Sequence, residues 1–148
     1  MGLLESTSEE PRSKLRRYVI TCLALGLLVA GSLWYLFRFH AEMKTVETFF
    51  TALAAGDTEQ AYRIWRAQPT YSYADFLQHW GPSGEFGPVK SFHIETAQMP
   101  RNASGVIVVV SVSSSPTFPA AGDPEGRRTI QQVRIWVERR DQSLSFPP

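Results

Sequence analysis

Cysteine is almost missing from this chain of 148 residues: Cys22 is the only one. No intramolecular disulfide can form, and zinc sites built from cysteine clusters are excluded. Charge of either sign is not in excess. The formal net charge is +1, and from Ala41 onward ten Lys/Arg face eleven Asp/Glu, so the chain has no basic face to serve as a nucleic-acid footprint. Phosphate-cradling glycine loops, H-E-x-x-H and nucleophile-elbow motifs are all absent, and Gly84-Glu85-Phe86-Gly87 reads as a turn. No internal repeat occurs. Nothing in the sequence calls for a metal or a cofactor.

The most informative absence is of charge between Tyr18 and Phe37. These twenty residues, YVITCLALGLLVAGSLWYLF, form a run long enough, at about 1.5 Å per residue, to cross a hydrocarbon core of about 30 Å as one helix. A cleaved signal peptide fits less well. Its apolar core spans about 7 to 15 residues, and here bulky Leu33, Trp34, Tyr35 and Phe37 follow the small residues Val29-Ala30-Gly31. Arg12, Lys14, Arg16 and Arg17 crowd the N-terminal flank, so the positive-inside rule places the N-terminus in the cytoplasm and the remainder outside it, in the periplasm if the cell is bacterial. The organisation read from this is a disordered cytoplasmic tail over residues 1–17, a transmembrane helix over 18–37 and an extracytoplasmic domain over 38–148. Cys22, Gly26 and Ala30 recur every four residues and offer a narrow stripe for helix pairing in the bilayer.

The domain has room for a single core. No Pro or Gly falls between Gly31 and Gly56, which predicts one helix running from the membrane into the domain with Met43, Val46, Phe50 and Leu53 on its inner face. Gly56 stops it. Asp57 and Gln60 open a second helix bearing Ala61, Ile64 and Trp65, and Ser72 caps a third bearing Phe76, Leu77 and Trp80 before Gly81-Pro82. After GPSGEFGP the period changes to two. Strands are expected over Lys90 to Gln98, Val106 to Val112 and Thr129 to Arg139, with a short fourth at Leu144 to Phe146 and a long Pro/Gly/Ser loop before the third. The class is α+β, with helices packed on one face of a curved antiparallel sheet.

The stretch FFTALAAGDTEQAYRIW, a helix ending in Ala-Gly-Asp that re-enters a helix with Ala-Tyr, resembles the opening of the cystatin-like, cone-shaped superfamily typified by nuclear transport factor two. The resemblance covers about residues 41 to 146. It implies helices on a curved sheet that forms a cone, and a range of roles: isomerases and dehydratases with a pocket in the cone, non-catalytic ligand-binding domains, and membrane-anchored bacterial assembly components laid out like this chain. The departure is at the C-terminus, where SLSFPP stands in place of a full closing strand.

Three sets of residues are candidates for function. Asp75 and His79, four apart on a helix, with His93 on the first strand, come nearest to acid–base equipment. The same spacing describes an exposed helix pair beside a surface histidine, and that reading is adopted: no catalytic residue is assigned. Trp65, Tyr71, Tyr73, Phe76, Trp80 and Phe92 are candidates for lining a pocket at the mouth of the cone. On the third strand Val133, Ile135 and Val137 share one parity, which turns Trp136 and Arg134 outward beside Ile107 and Val109 of the second strand. An outer face this apolar needs a cover, supplied by the loop around Phe118 or by another chain. Asn102-Ala103-Ser104 also fits the glycosylation acceptor pattern, which matters only in a eukaryotic secretory setting. The reading is a non-catalytic, membrane-anchored module that binds a membrane-protein partner or itself; the alternative is an anchored domain with a small-ligand or isomerase-like pocket.

Overall fold

The computed structural model describes residues 11–65 and 68–148. The chain divides into two compact units, one ending at Arg38 and the other comprising Phe39–Pro148. Helix α1, Pro11–Phe37, belongs to the first. Proline suits its first turn, where the missing N–H would have had no helical partner. The basic flank Arg12–Arg17, expected in a disordered tail, is therefore helical; residues 1–10 of that expected tail lie outside the described residues. Within α1 is a segment long and apolar enough to cross a bilayer, none of it buried in the protein. Its hydroxyls need no water: Thr21 Oγ1 donates to Arg17 O at 2.9 Å and Ser32 Oγ to Leu28 O at 2.8 Å.

The expected single helix through to Gly56 is not formed. Arg38 and Phe39 are turn residues, and α2 begins afresh at His40. The cause is tertiary: Phe39, at the new helix's N-terminus with φ −113° and ψ 17°, packs its ring against the core of the second unit.

That unit runs α2 (His40–Ala54), α3 (Thr58–Trp65), α4 (Tyr73–Trp80), then strands β1 (Ser91–Gln98), β2 (Gly105–Ser113), β3 (Ile130–Glu138) and β4 (Leu144–Ser145). The four strands form one antiparallel sheet in the order β1-β2-β3-β4. Gly56, at φ +78°, ends α2: its N–H donates to Leu53 O and that of Asp57 to Ala52 O, a closure that a side chain at this angle would strain. Asp57 Oδ1 then accepts from Gln60 N and opens α3. Ser72 and Asp75 cap α4 reciprocally.

Helix α2 lies across β1, β2 and β3, and α3 reaches β4. The inner face of the sheet is read directly from the strand periodicity: Val106, Val108, Val110 and Val112 pair with or adjoin Val133, Ile135 and Val137, and all are buried. Against them pack Val46, Phe49, Phe50 and Leu53 of α2, Trp65 of α3, and Phe76 and Trp80 of α4. Phe49 is the hub. Its ring meets those of Phe50, Trp65 and Trp80 at 5.0, 5.2 and 5.3 Å in edge and tilted contacts, each worth about 0.5–1.5 kcal/mol beyond the area buried. An extra residue at Glu95 bulges β1 between Ile94 and Thr96. At the opposite end the buried Glu42 carboxylate accepts from Arg139 Nε at 3.0 Å, tying α2 to the turn after β3.

Candidate functional site

The outer face of the sheet is assembled by the same alternation that builds the core. Ile107 stands opposite Trp136 and Val109 opposite Arg134, so the four side chains form two adjacent cross-strand pairs. Ile107, Val109 and Trp136 are half-buried and Arg134 is exposed. Gly105 is what lets the indole lie flat. A Cβ there would stand 2.5 Å from Trp136 Cε2 and 2.6 Å from Cζ2.

The loop between β2 and β3 covers the other end of this face. Phe118 sits over His93 with ring centroids 5.8 Å apart. The covering is pinned by hydrogen bonds from Ser91 Oγ to Ser115 O at 2.7 Å and between Ser113 Oγ and Thr129 Oγ1 at 2.9 Å, and by the Arg127 guanidinium on Ala121 O. Ser111 and Ser113 are buried beneath it. Phe118 thus does not join the Trp136 patch; it shields the far end.

A cleft of about 610 Å³ opens beside β4. Trp65, Tyr71 and Phe146 form its aromatic wall, Trp136 and Glu138 come from β3, and Gln68, Thr70, Asp141, Ser143 and Ser145 supply polar groups. Of the six aromatics expected around a pocket only Trp65 and Tyr71 reach it. Phe76 and Trp80 are in the core, Tyr73 bonds Thr58 through its hydroxyl at 2.7 Å, and Phe92 packs on Phe50. Phe146 is a site residue that the sequence reading does not name, because a two-residue strand followed by Phe-Pro-Pro gives no sign that the ring turns inward. It contacts Trp65, Trp80 and Phe86 at 5.3, 5.9 and 5.8 Å.

The acid–base set is not brought together. Both the backbone N–H and the hydroxyl of Ser72 donate to Asp75 Oδ2, at 2.9 and 2.8 Å, which holds that carboxyl below its usual range. His79 Nδ1 faces Tyr71 Oη at 2.9 Å and the Asp75 backbone oxygen at 3.0 Å, and its Nε2 lies 3.9 Å from Glu85. His93 is on the sheet's outer face. Burial, then the Asp75 charge and Tyr62, push the Tyr71 phenol up to about 12, so it is a neutral hydrogen-bonding group at ordinary pH. Among the described residues no three His, Cys, Asp or Glu side chains gather as metal ligands would.

Cys22 and the glycine and alanine of its stripe lie on α1, where Cys22 and Gly26 border a shallow apolar groove with Tyr18, Val19, Leu23 and Leu27. Asn102 occupies a turn at φ +58°, a conformation asparagine tolerates better than most residues. Comparison with protein-family models, with curated proteins and with solved structures finds no match to this chain.

Proposed function

We propose that this protein is a single-pass membrane protein, N-terminus in the cytoplasm, whose extracytoplasmic α+β domain of the nuclear transport factor two-like type works as a non-catalytic binding or assembly module. The observation that carries this reading is how the space between helices and sheet is used. Phe49, Trp65, Phe76, Trp80, Phe86 and Phe146 fill it ring against ring, where a pocket enzyme of that type would need it hollow. The partly exposed Trp136 with Arg134 and two aliphatic neighbours has the composition of an interface centre. The long apolar segment of α1 supports the anchor, and the basic residues at its N-terminal end support the orientation.

Purification of the full chain from membranes in mild detergent tests this. It should carry a protein partner or a second copy, and Trp136→Ala should weaken that association about 30-fold, equivalent to roughly 2 kcal/mol at a hot spot. Recovery of the chain alone, indifferent to the substitution, refutes the reading. A second reading, small-ligand binding, rests on the cleft beside β4, where Trp65 and Tyr71 do converge with polar groups. A ligand retained through purification and lost on Tyr71→Phe would favour it.

A further inference from the structure

Strand β3 is paired with β2 along its whole length, whereas on its other side β4 pairs only with Trp136 and Val137. Two hydrogen bonds settle which backbone groups face that second side. Glu138 N donates to Ser143 O at 3.0 Å toward β4, and Arg139 N donates to Ser104 O at 3.3 Å toward β2. Successive residues of a strand direct their N–H and C=O groups to opposite neighbours, so Trp136, Arg134, Gln132 and Ile130 share the side of Glu138. Trp136 is taken by Ser145, and the Ile130 N–H donates to Arg127 O. The N–H and C=O of Gln132 and Arg134 and the C=O of Ile130 have no backbone partner among the described residues. Gln132 and Arg134 are exposed. Monomeric sheets blunt such an edge with charged side chains, proline or a bulge; this stretch has one charge, Arg134, but no proline or lysine, and its register with β2 is unbroken.

We propose that the occupant of this edge is β3 of a second copy of the chain, running antiparallel with Gln132 facing Gln132 across a two-fold axis. The inference rests on the assembly reading above and names its partner. Three observations select a second copy. The open window, Ile130 to Arg134, is centred on Gln132, so an antiparallel copy places Arg134 opposite Ile130. Every free N–H of the window then meets an acceptor: the two Gln132 residues exchange a pair of bonds, and each Arg134 N–H meets an Ile130 C=O, four bonds in all. The Ile130 N–H, which would face the Arg134 C=O of the second copy, is already spent on Arg127 O of its own chain, so the Arg134 carbonyls stay outside this ladder. Secondly, a strand on this edge must leave it before Trp136, where Ser145 sits. The second copy does so, because its chain before Ile130 coils into the 3₁₀ turn Gly126–Thr129. Thirdly, that turn carries the exposed Arg127 and Arg128, and the ground it approaches is the cleft bordered by Trp136, Glu138 and Asp141. A basic turn meets carboxylates and an indole face in both copies at once.

Disulfide mapping in lipid nanodiscs, on the full chain with Cys22→Ala, tests the register. Facing residues of a hydrogen-bonded pair lie about 5.5 Å apart at Cα, within disulfide reach. Gln132→Cys should therefore cross-link to itself on mild oxidation at least tenfold faster than Arg134→Cys, whose two copies would stand about 13 Å apart along the strand. A mixture of Ile130→Cys and Arg134→Cys chains should cross-link to each other. Gln132→Pro, which removes a donor that serves no bond within the domain, should weaken self-association at least tenfold with the circular dichroism unchanged. Equal cross-linking at all positions, no cross-linking, or a dimer unaffected by Gln132→Pro overturns the proposal. If a different protein nevertheless co-purifies through Trp136, only this inference falls; if the chain is alone in every assay, the assembly reading falls with it.

Discussion

Replacing Gly105 with alanine should destabilise the domain, although the same change at an unstrained position raises stability by about 0.4–1 kcal/mol through the unfolded chain. The added methyl would meet Trp136 Cε2 at 2.5 Å, Cζ2 at 2.6 Å and the Val137 carbonyl oxygen at 2.5 Å, about an ångström inside normal contact. The indole can swing away, but only by leaving Gly105 bare and pushing on Ile107 opposite; the carbonyl belongs to the β3 backbone and cannot move without its ladder. Overpacking of this kind costs about 1–3 kcal/mol. For a unit of this size about 2 kcal/mol lowers the melting temperature by roughly 8 °C. Thermal unfolding followed by tryptophan fluorescence reads the loss, and a double-mutant cycle with Trp136→Ala apportions it. With the indole gone, part of the strain should be relieved, giving a favourable coupling of about 1 kcal/mol. A Gly105→Ala protein as stable as the parent, or a cycle that closes additively, would refute the argument that this glycine exists to seat Trp136.

Two further outcomes follow from the core and the cleft. Phe49→Ala, which removes a fully buried ring from contact with four others, should cost about 3–5 kcal/mol in urea unfolding, whereas Leu77→Ala at the half-buried margin should cost clearly less. Because the Tyr71 phenol is pushed from 10.0 up to about 12, the folded state favours its protonated form. The stabilisation this gives is complete below pH 10, where the unfolded phenol is also protonated, and is lost as pH rises through about 12. Phenolate absorbance should show a late step that Tyr71→Phe removes.

Local punctuation made most of the domain legible. Gly56, the Ser72 cap and Gly81-Pro82 each end or start a helix where expected, and the parity of Val133, Ile135 and Val137 assigned both faces of β3 without reference to any neighbour. What escaped was set by contacts between distant segments. No residue near Arg38 breaks a helix by propensity; the break comes from Phe39 reaching the core. The spacing of Asp75 and His79 was right for a pair, but the carboxylate was already claimed by Ser72 three residues earlier. The cleft draws Gln68, Thr70, Glu138 and Asp141 from opposite ends of the domain, and no periodicity links them. The Glu42–Arg139 bond spans 97 residues and leaves no local mark.

The strand order, in which every neighbour in space is a neighbour in sequence, also bears on how the domain acquires its shape. The sheet can grow by adding one hairpin after another, with no crossover to wait for, but the hairpins are not equal. Six residues, 99–104, close β1 onto β2, whereas sixteen, 114–129, close β2 onto β3. The longer closure costs about 0.9 kcal/mol more in chain entropy. The first hairpin is therefore the natural nucleus, and the long loop delays β3. Until β3 docks, the alternating valines of β2 have an open side, so the interval between the two closures is when this chain is most exposed to aggregation.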